Sequence, residues 1–225
     1  MSDLTPEILA GMIDHTFLKP FGTPADIATL CAEAREYGFA MVAVNPAEVV
    51  RCVRLLEGSP VRVGAAIGFP LGQNTHAVKV YETRDAIAKG AGEIDMVINI
   101  RALQAGESDV VQREIEEMAE ICREADVISK VILETCYLDD AQKRAVCALA
   151  LQAGVDFVKT STGFGTGGAT VADVQLMRAA VGAAVGVKAS GGVRDLATAR
   201  AMIAAGATRI GTSSGVQIIN ELRAE

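Results

Sequence analysis

Short apolar runs rich in β-forming residues alternate with longer amphipathic stretches along almost the whole chain. The runs predict eight strands, at residues 12–18, 41–45, 61–69, 94–99, 129–135, 156–163, 185–190 and 209–212. The longer stretches predict helices, and four glycines stand where a helix commonly ends, shortly before the next strand: Gly38, Gly58, Gly154 and Gly206. Asn74 is expected to cap the helix after the third strand, and one long helix is expected to follow the fourth strand and end near Ala125. Strict alternation is typical of parallel strands joined by crossover helices.

The number of strand–helix units favours a closed barrel. Eight units in 225 residues predict an α/β protein with the TIM (β/α)8 barrel fold, as a single domain over residues 1–225. Thr5 followed by Pro6 predicts a short additional helix before the first strand. An open doubly wound sheet would instead place a glycine-rich turn after the first strand, and the first strand of this chain, which contains Asp14-His15-Thr16, leads into no such turn.

The composition excludes several classes of protein. No run of about eighteen uncharged apolar residues occurs, so no membrane-spanning helix is expected. The acidic first residues lack an apolar signal region, so we expect a cytoplasmic protein. A net charge of −7 argues against a nucleic-acid surface. The five cysteines are never spaced as CxxC, and the two histidines have no third ligand at metal spacing. We therefore expect neither a metal site nor a cofactor.

Two lysines fall near the ends of neighbouring strands, Lys159 in the sixth and Lys188 in the seventh. A buried ammonium group must be paired or lose its proton, because burial destabilises the charge. Two such lysines side by side lower each other's pKa, and a neutral amine is the nucleophile that forms imines with carbonyl compounds. The pair therefore indicates an enzyme that works through a Schiff base.

Alternation along the other strands directs further polar side chains into the same interior. They are Asp14 and Thr16 on the first strand, Asp95 on the fourth and Lys130 on the fifth. In a (β/α)8 barrel, polar residues near the carboxyl ends of the strands form the active site. Lys130 is expected to position Asp95 or to serve as a structural ion pair, and Thr160 is expected to hydrogen-bond or pack inside the barrel. The alternative to an active site is a network of salt bridges that satisfies only itself.

Two glycine-rich loops follow the last two strands, and each opens a helix. Gly191 and Gly192 lie in the first loop, and Gly211, Ser213 and Ser214 lie in the second. Glycines allow backbone N–H groups to approach an anion, and helix amino termini supply positive potential. These loops are the usual phosphate site of the predicted fold. The sequence therefore predicts a small phosphorylated substrate in spite of the negative net charge.

Taken together, these segments resemble the deoxyribose-phosphate aldolases over essentially the whole chain. The similarity is carried by residues 14–16, 44–46, 93–99, 130–135, 158–163, 187–194 and 211–214, and KTSTG together with VKASGGVR is its most specific part. The resemblance implies a class I aldolase, a lyase that cleaves 2-deoxy-D-ribose 5-phosphate to acetaldehyde and D-glyceraldehyde 3-phosphate without a metal. It also implies that Lys159 forms the Schiff base and that Lys188 and Asp95 transfer protons.

Three features depart from the pattern of that family. Ala43 stands where many relatives have a cysteine, so a thiol contact to the substrate is missing. Phe164 stands where some relatives have a lysine that contacts phosphate, so phosphate binding is expected to depend more on the two glycine-rich loops. The chain stops at Glu225 without the tyrosine-bearing tail of some relatives, so we expect slower catalysis or a water in the place of the tyrosine.

Two other functions are compatible with the same residues. One is another imine-forming barrel aldolase that acts on a different phosphosugar. The other is a non-catalytic phosphosugar-binding barrel, in which Lys159 is an ordinary ion-paired lysine. In each case a homo-oligomer is expected, with a dimer as the default, because soluble proteins commonly form symmetric dimers.

Overall fold

All eight predicted strands are present in the computed structural model, which describes residues 4–225. In chain order they are β1 Ile13–Phe17, β2 Met41–Val44, β3 Arg62–Ile67, β4 Glu93–Val97, β5 Ile128–Ile132, β6 Phe157–Lys159, β7 Gly186–Ser190 and β8 Arg209–Thr212. Each strand pairs in parallel with the next, and β8 closes the barrel by pairing with β1. The predicted TIM (β/α)8 barrel is confirmed.

The helices connect the strands and pack against the barrel from outside. They are α1 Pro6–Ala10, α2 Pro24–Tyr37, α3 Val49–Leu55, α4 His76–Ala88, α5 Ile100–Gln104, α6 Ser108–Glu124, α7 Asp140–Ala153, α8 Val171–Val181, α9 Leu196–Ala204 and α10 Gly215–Arg223. The additional helix α1 begins as predicted, because the Thr5 hydroxyl accepts a hydrogen bond from the Ile8 N–H at 3.3 Å. Gly38 and Gly154 end α2 and α7 in the left-handed conformation, with φ of +70° and +71°.

Two helix predictions are wrong. The chain after β4 forms two helices rather than one, because Gly106 has a φ of +77° and breaks the helix between α5 and α6. The cap of α4 is Thr75 rather than Asn74, since Thr75 is the extended residue before the first helical turn, with φ −63° and ψ 153°. Strand β6 is also shorter than predicted, so that Thr160 and the residues up to 163 belong to the following loop.

Alternation along the strands separates an apolar outer face from a charged interior. The outward side chains form the layer between strands and helices, and they are almost completely buried: Val42, Val63, Ile94, Val131, Val158, Val187 and Ile210. Charged side chains project inward, and the register aligns Asp95 with Lys130 and Lys159 with Lys188 across neighbouring strands. The fold therefore brings together residues that lie far apart in the sequence.

None of the helices within residues 4–225 has both the length and the apolar composition that crossing a membrane requires.

Candidate active site

Asp95 lies at the centre of a buried cluster of charges inside the barrel. Its Oδ1 accepts a hydrogen bond from Lys130 Nζ at 2.8 Å. Its Oδ2 accepts hydrogen bonds from both Lys159 Nζ and Lys188 Nζ, each at 2.7 Å. All four side chains are buried. The three residues predicted to be catalytic therefore meet at a single oxygen atom.

A second layer of charges supports this centre. Arg209 Nη1 lies 2.7 Å from Asp14 Oδ1 and 3.4 Å from Glu93 Oε1. Lys188 Nζ lies 2.5 Å from Asp14 Oδ2, and Lys130 forms an ion pair with Glu93. Asp14 and Lys130 are thus where the sequence analysis predicts them. Glu93 and Arg209 are missing from that prediction, although each shares the inward face of its strand.

The charges of this cluster balance only when one amine is neutral. The carboxylates are Asp14, Glu93 and Asp95, and the cations are Lys130, Lys159, Lys188 and Arg209. Arg62 also approaches Glu93, at 3.8 Å, but its side chain is 55% exposed and solvent screens its charge. Among the groups that pair directly, four buried cations face three carboxylates, which leaves one positive charge in a closed interior, where an unbalanced charge is strongly disfavoured. Glu134 is buried nearby, but it forms no ion pair with these cations and burial raises its pKa. Loss of one proton from a lysine of the cluster removes this excess positive charge.

Lys159 is the group that releases this proton most readily. Burial lowers the pKa of Lys159 to about 8; Asp95 opposes this, and the charges of Lys188 and Lys130 reinforce it. Burial disfavours charge on Lys130 too, but Asp95, Glu93 and Asp14 outweigh it and raise the pKa of Lys130. Burial and repulsion between the two lysines are both expected from the sequence, and in the structure burial is the larger cause of the lowered pKa.

Asp95 remains ionised in these surroundings. Burial alone would raise the pKa of its carboxyl group, but Lys130, Lys159 and Lys188 together hold that pKa well below its usual range. The site therefore combines an amine that is easily deprotonated with a permanent carboxylate at 2.7 Å from it. Such a pair can form an imine and then move protons next to it.

Lys159 lines a cavity of about 560 Å³ that opens at the carboxyl-terminal ends of the barrel strands. The cavity is also lined by residues of β1 and of the loops after β6, β7 and β8. On another side, the ring centroid of Phe69 lies 5.3 Å from Lys159 Nζ. The side chain of Lys159 is only 3% exposed, yet it borders a cavity large enough for a phosphorylated sugar.

Four of the five residues predicted to bind phosphate line the same cavity: Gly191, Gly192, Gly211 and Ser213. Gly192 has a φ of +82°, and a β-carbon there would meet no atom within 4 Å, so its backbone faces open space. Gly211 differs, because it is a residue of β8 and a β-carbon would lie 2.2 Å from Ser190 Oγ. Packing alone accounts for that glycine. Ser214 is the residue before α10 and is not among those that line the cavity.

The predicted supporting residues have distinct positions. Thr16 lines the cavity, and its hydroxyl donates a hydrogen bond to the Asp14 carbonyl at 3.0 Å. The Thr160 hydroxyl accepts a hydrogen bond from the Ser190 N–H at 3.0 Å and lies 3.1 Å from the Ser190 carbonyl. Thr160 therefore joins the end of β6 to β7 and fixes Lys159 from the neighbouring position. Phe164 also lines the cavity and is half exposed.

Glu134 is a further residue of the site. Alternation along the fifth strand predicts it on the same face as Lys130, but without a role, and in the structure it follows the end of β5. Its buried carboxylate accepts hydrogen bonds from the Thr162 N–H at 3.2 Å and from the Thr162 hydroxyl, and so holds the loop that follows Lys159. Burial raises the pKa of Glu134, although the bonds from Thr162 act in the opposite direction. The backbone of Glu134 has a φ of +55°, which is uncommon for a residue other than glycine. Nothing in the local sequence marks that conformation.

The two histidines pair with single carboxylates. His15 Nε2 lies 2.7 Å from Glu33, and His76 Nε2 lies 2.8 Å from Glu117. Within residues 4–225, no three side chains of His, Cys, Asp or Glu are grouped so that they could hold a metal ion. All five cysteines are free thiols.

Known proteins are similar to this chain in sequence and in fold. The model of the DeoC/LacD family aldolases matches residues 8–221. A deoxyribose-phosphate aldolase of Bacteroides thetaiotaomicron is 70% identical over 219 residues, which cover 97% of this chain and 92% of that protein. One from a Geobacillus species is 55% identical over 211 residues, 94% of each chain. A tetrameric deoxyribose phosphate aldolase from Aeropyrum pernix superposes with a TM-score of 0.91 at 35% identity, over 98% of this chain and 93% of that one.

Proposed function

We propose that this chain, which belongs to the DeoC/LacD family of aldolases, reversibly cleaves 2-deoxy-D-ribose 5-phosphate to acetaldehyde and D-glyceraldehyde 3-phosphate. Relatives that cover nearly the whole chain carry the name of this activity. The observation that carries the mechanism is the convergence of Lys159 and Lys188 on Asp95 Oδ2. A non-catalytic sugar-binding barrel would not require a buried amine whose pKa is lowered to about 8.

The reaction begins with imine formation at Lys159. The neutral amine attacks C1 of the open-chain aldehyde, and the carbonyl oxygen leaves as water after it takes up protons. The product is a protonated imine, which attracts electrons from the bond between C2 and C3. Burial in the barrel keeps enough Lys159 uncharged near neutral pH for the first step.

Cleavage requires a base for the C3 hydroxyl. We assign this role to Asp95, acting through a water. A carboxylate with so low a pKa is a weak base by itself, so we infer that Lys188, 2.7 Å from the same oxygen, shares the proton with it. The C2–C3 bond then breaks, and glyceraldehyde 3-phosphate leaves. The enamine takes a proton at C2, and water hydrolyses the imine to release acetaldehyde and Lys159.

Other residues hold the reacting groups in place. Lys130, paired with Glu93 and Asp95, fixes the carboxylate that acts as the base. The phosphate group is assigned to the loops after β7 and β8, where Gly192 and Ser213 border the cavity. The amino-terminal end of α10 supports this placement, because backbone N–H groups and the helix dipole favour an anion there.

The proposal includes the setting of the enzyme. We infer that residues 1–225 act as one domain, that catalysis needs no metal or other cofactor, and that the protein forms a homo-oligomer, with a dimer as the default, in the cytoplasm. Five free thiols are compatible with a reducing compartment. Light scattering measures the number of chains directly.

A cleavage assay tests the proposed function. Purified protein is incubated with 2-deoxy-D-ribose 5-phosphate, and both aldehyde products are quantified. We expect equal amounts of the two products from the parent protein and none from Lys159→Ala, with an unchanged circular dichroism spectrum. The matched control is Lys89→Ala, since Lys89 forms a partly exposed pair with Asp85 and is expected to be dispensable. Cleavage by the Lys159→Ala protein at the parent rate would refute the assignment.

A further inference from the structure

We propose that Phe69 is a further catalytic residue, whose ring face stabilises the positive charge of the imine formed at Lys159. The proposal rests on the proposed function, because it requires that imine. The ring centroid of Phe69 lies 5.3 Å from Lys159 Nζ, within the distance at which an aromatic face attracts a cation. Phe69 follows β3 by two residues, so its ring reaches Lys159 from a different strand than Asp95 or Lys188.

Burial of the Lys159 nitrogen has two opposing effects on the reaction, and the ring of Phe69 offsets the unfavourable one. Burial makes Lys159 a good nucleophile because it disfavours the charged form of the nitrogen. The same burial disfavours the protonated imine, although only the protonated imine withdraws electrons from the C2–C3 bond. Asp95 stabilises a positive charge there, but a carboxylate can also accept the proton. The face of an aromatic ring attracts the cation and cannot remove its proton.

The charge on the nitrogen changes in a defined way along the reaction. Imine formation joins the Lys159 amine to the aldehyde carbon, consumes one proton and releases one water, which leaves a positive charge beneath the ring. Cleavage sends the electron pair of the C2–C3 bond to this nitrogen and yields a neutral enamine. The ring therefore favours the species from which cleavage starts, and it keeps that species protonated to a higher pH.

A buried ion pair outside the barrel holds the segment that carries this ring. Gly68, with a φ of +66°, donates its N–H to Glu82 at 2.8 Å. The side chain of Lys79 packs against Gly68, 3.1 Å from the position of a β-carbon. Lys79 Nζ in turn donates to Glu114 Oε2 at 2.7 Å, and both side chains are buried. The turn before Phe69 is thus fixed by two side chains of α4, one of which is anchored to α6, and this places the ring before any substrate binds.

A series of fluorinated phenylalanines at position 69 tests the proposal. Each fluorine withdraws electron density from the ring face while the size of the ring changes little, so the fold is preserved. We expect kcat for cleavage to fall stepwise from phenylalanine to the mono-, di- and trifluorinated rings. We also expect the high-pH limb of the kcat profile to move to lower pH in the same order. Phe69→Leu, which keeps an apolar side chain without a ring face, is expected to lose about 5- to 30-fold in kcat.

The same series at Phe21 is the matched control. Phe21 also has a lysine above its ring, with Lys19 Nζ 5.9 Å from the centroid, but its side chain is 71% exposed and it does not line the cavity. An exposed pair of this kind contributes little, so kcat is expected to stay constant along the control series.

The outcomes separate the proposal from the function on which it rests. A constant kcat along the series at position 69 overturns the role of the ring. A loss in Phe69→Leu without a stepwise trend also overturns it, since the ring then acts only as an apolar wall. Reductive trapping of an acetaldehyde adduct on the parent protein is measured in parallel. If that adduct forms and the series is flat, only the Phe69 proposal fails; if no adduct forms, both fail.

Discussion

Lys159 Nζ and Lys188 Nζ donate hydrogen bonds to the same atom, Asp95 Oδ2, each at a distance of 2.7 Å. The two lysines are direct partners in the parallel ladder between β6 and β7. Lys188 also pairs with Asp14, but that carboxylate is shared with Arg209, and four buried cations face three paired carboxylates, so the site favours loss of a proton. Burial, reinforced by neighbouring charges, selects Lys159, whose pKa falls to about 8. The reactivity of the amine and its dependence on pH follow from this arrangement.

Replacing Lys188 is expected to move imine formation to higher pH. In Lys188→Leu a positive neighbour is lost, so the protonated form of Lys159 is less disfavoured and its pKa rises above about 8. The shift is expected to be modest, because burial is the larger cause and persists. The measurement is the rate of imine formation with acetaldehyde as a function of pH, with Lys89→Leu as the control. An unchanged midpoint would contradict a role of Lys188 in lowering the pKa.

Replacing Asp95 is expected to separate imine formation from cleavage. In Asp95→Asn the carboxylate that stabilises the ammonium form of Lys159 is gone, so the amine becomes neutral at lower pH. Imine formation therefore persists, whereas cleavage of 2-deoxy-D-ribose 5-phosphate is expected to fall by about 100-fold or more, because the base is lost. Trapping and cleavage are measured on the same preparation. Cleavage within a few-fold of the parent rate would show that another group is the base.

Lys130 is expected to matter for stability as well as for catalysis. Lys130→Met leaves Glu93 and Asp95 buried with one cation fewer, which is expected to cost about 3 kcal/mol of unfolding free energy. Urea denaturation measures this cost. Adding Glu93→Gln is expected to restore part of the loss, because Glu93 has lost its nearest cation in the single variant. Equal stability of the parent and the single variant would argue against a tightly coupled cluster.

The loop after β8 is expected to recognise the phosphate group. Ser213→Ala is expected to raise KM for 2-deoxy-D-ribose 5-phosphate several-fold, since a hydroxyl at the edge of the cavity is lost. For unphosphorylated 2-deoxy-D-ribose the same change is expected to have no effect. Ser108→Ala, at the exposed start of α6, serves as the control. A similar rise in KM for both sugars would place Ser213 outside the phosphate site.

The alternation of inward and outward side chains along each strand explains why the position of the charged cluster is predictable from the sequence. Lys159, Lys188, Asp95, Lys130 and Asp14 each lie on the inward face of a strand, and closure of the barrel brings such residues together wherever they stand in the chain. Whole strands and helices are therefore predictable from periodicity, and so is the charged centre.

The residues that the sequence does not predict lie where this periodicity ends. Glu93 is missed because the fourth strand is predicted to begin one residue later than it does. Phe69 is predicted to be part of the third strand, but the strand ends at Ile67, and Gly68 turns the chain with a φ of +66°. Glu134 adopts a left-handed backbone that only the surrounding structure imposes. Contacts of this kind depend on the loops, whose conformation periodicity does not specify.

Reductive trapping with peptide mapping tests the central claim most directly. The protein is incubated with acetaldehyde and borohydride across a range of pH, digested, and analysed by mass spectrometry. The account predicts one ethyl adduct, located on Lys159, whose yield rises with pH through about 8 and which is missing from Lys159→Ala. An unchanged mass of the parent protein, or an adduct confined to another lysine such as Lys188, would contradict it.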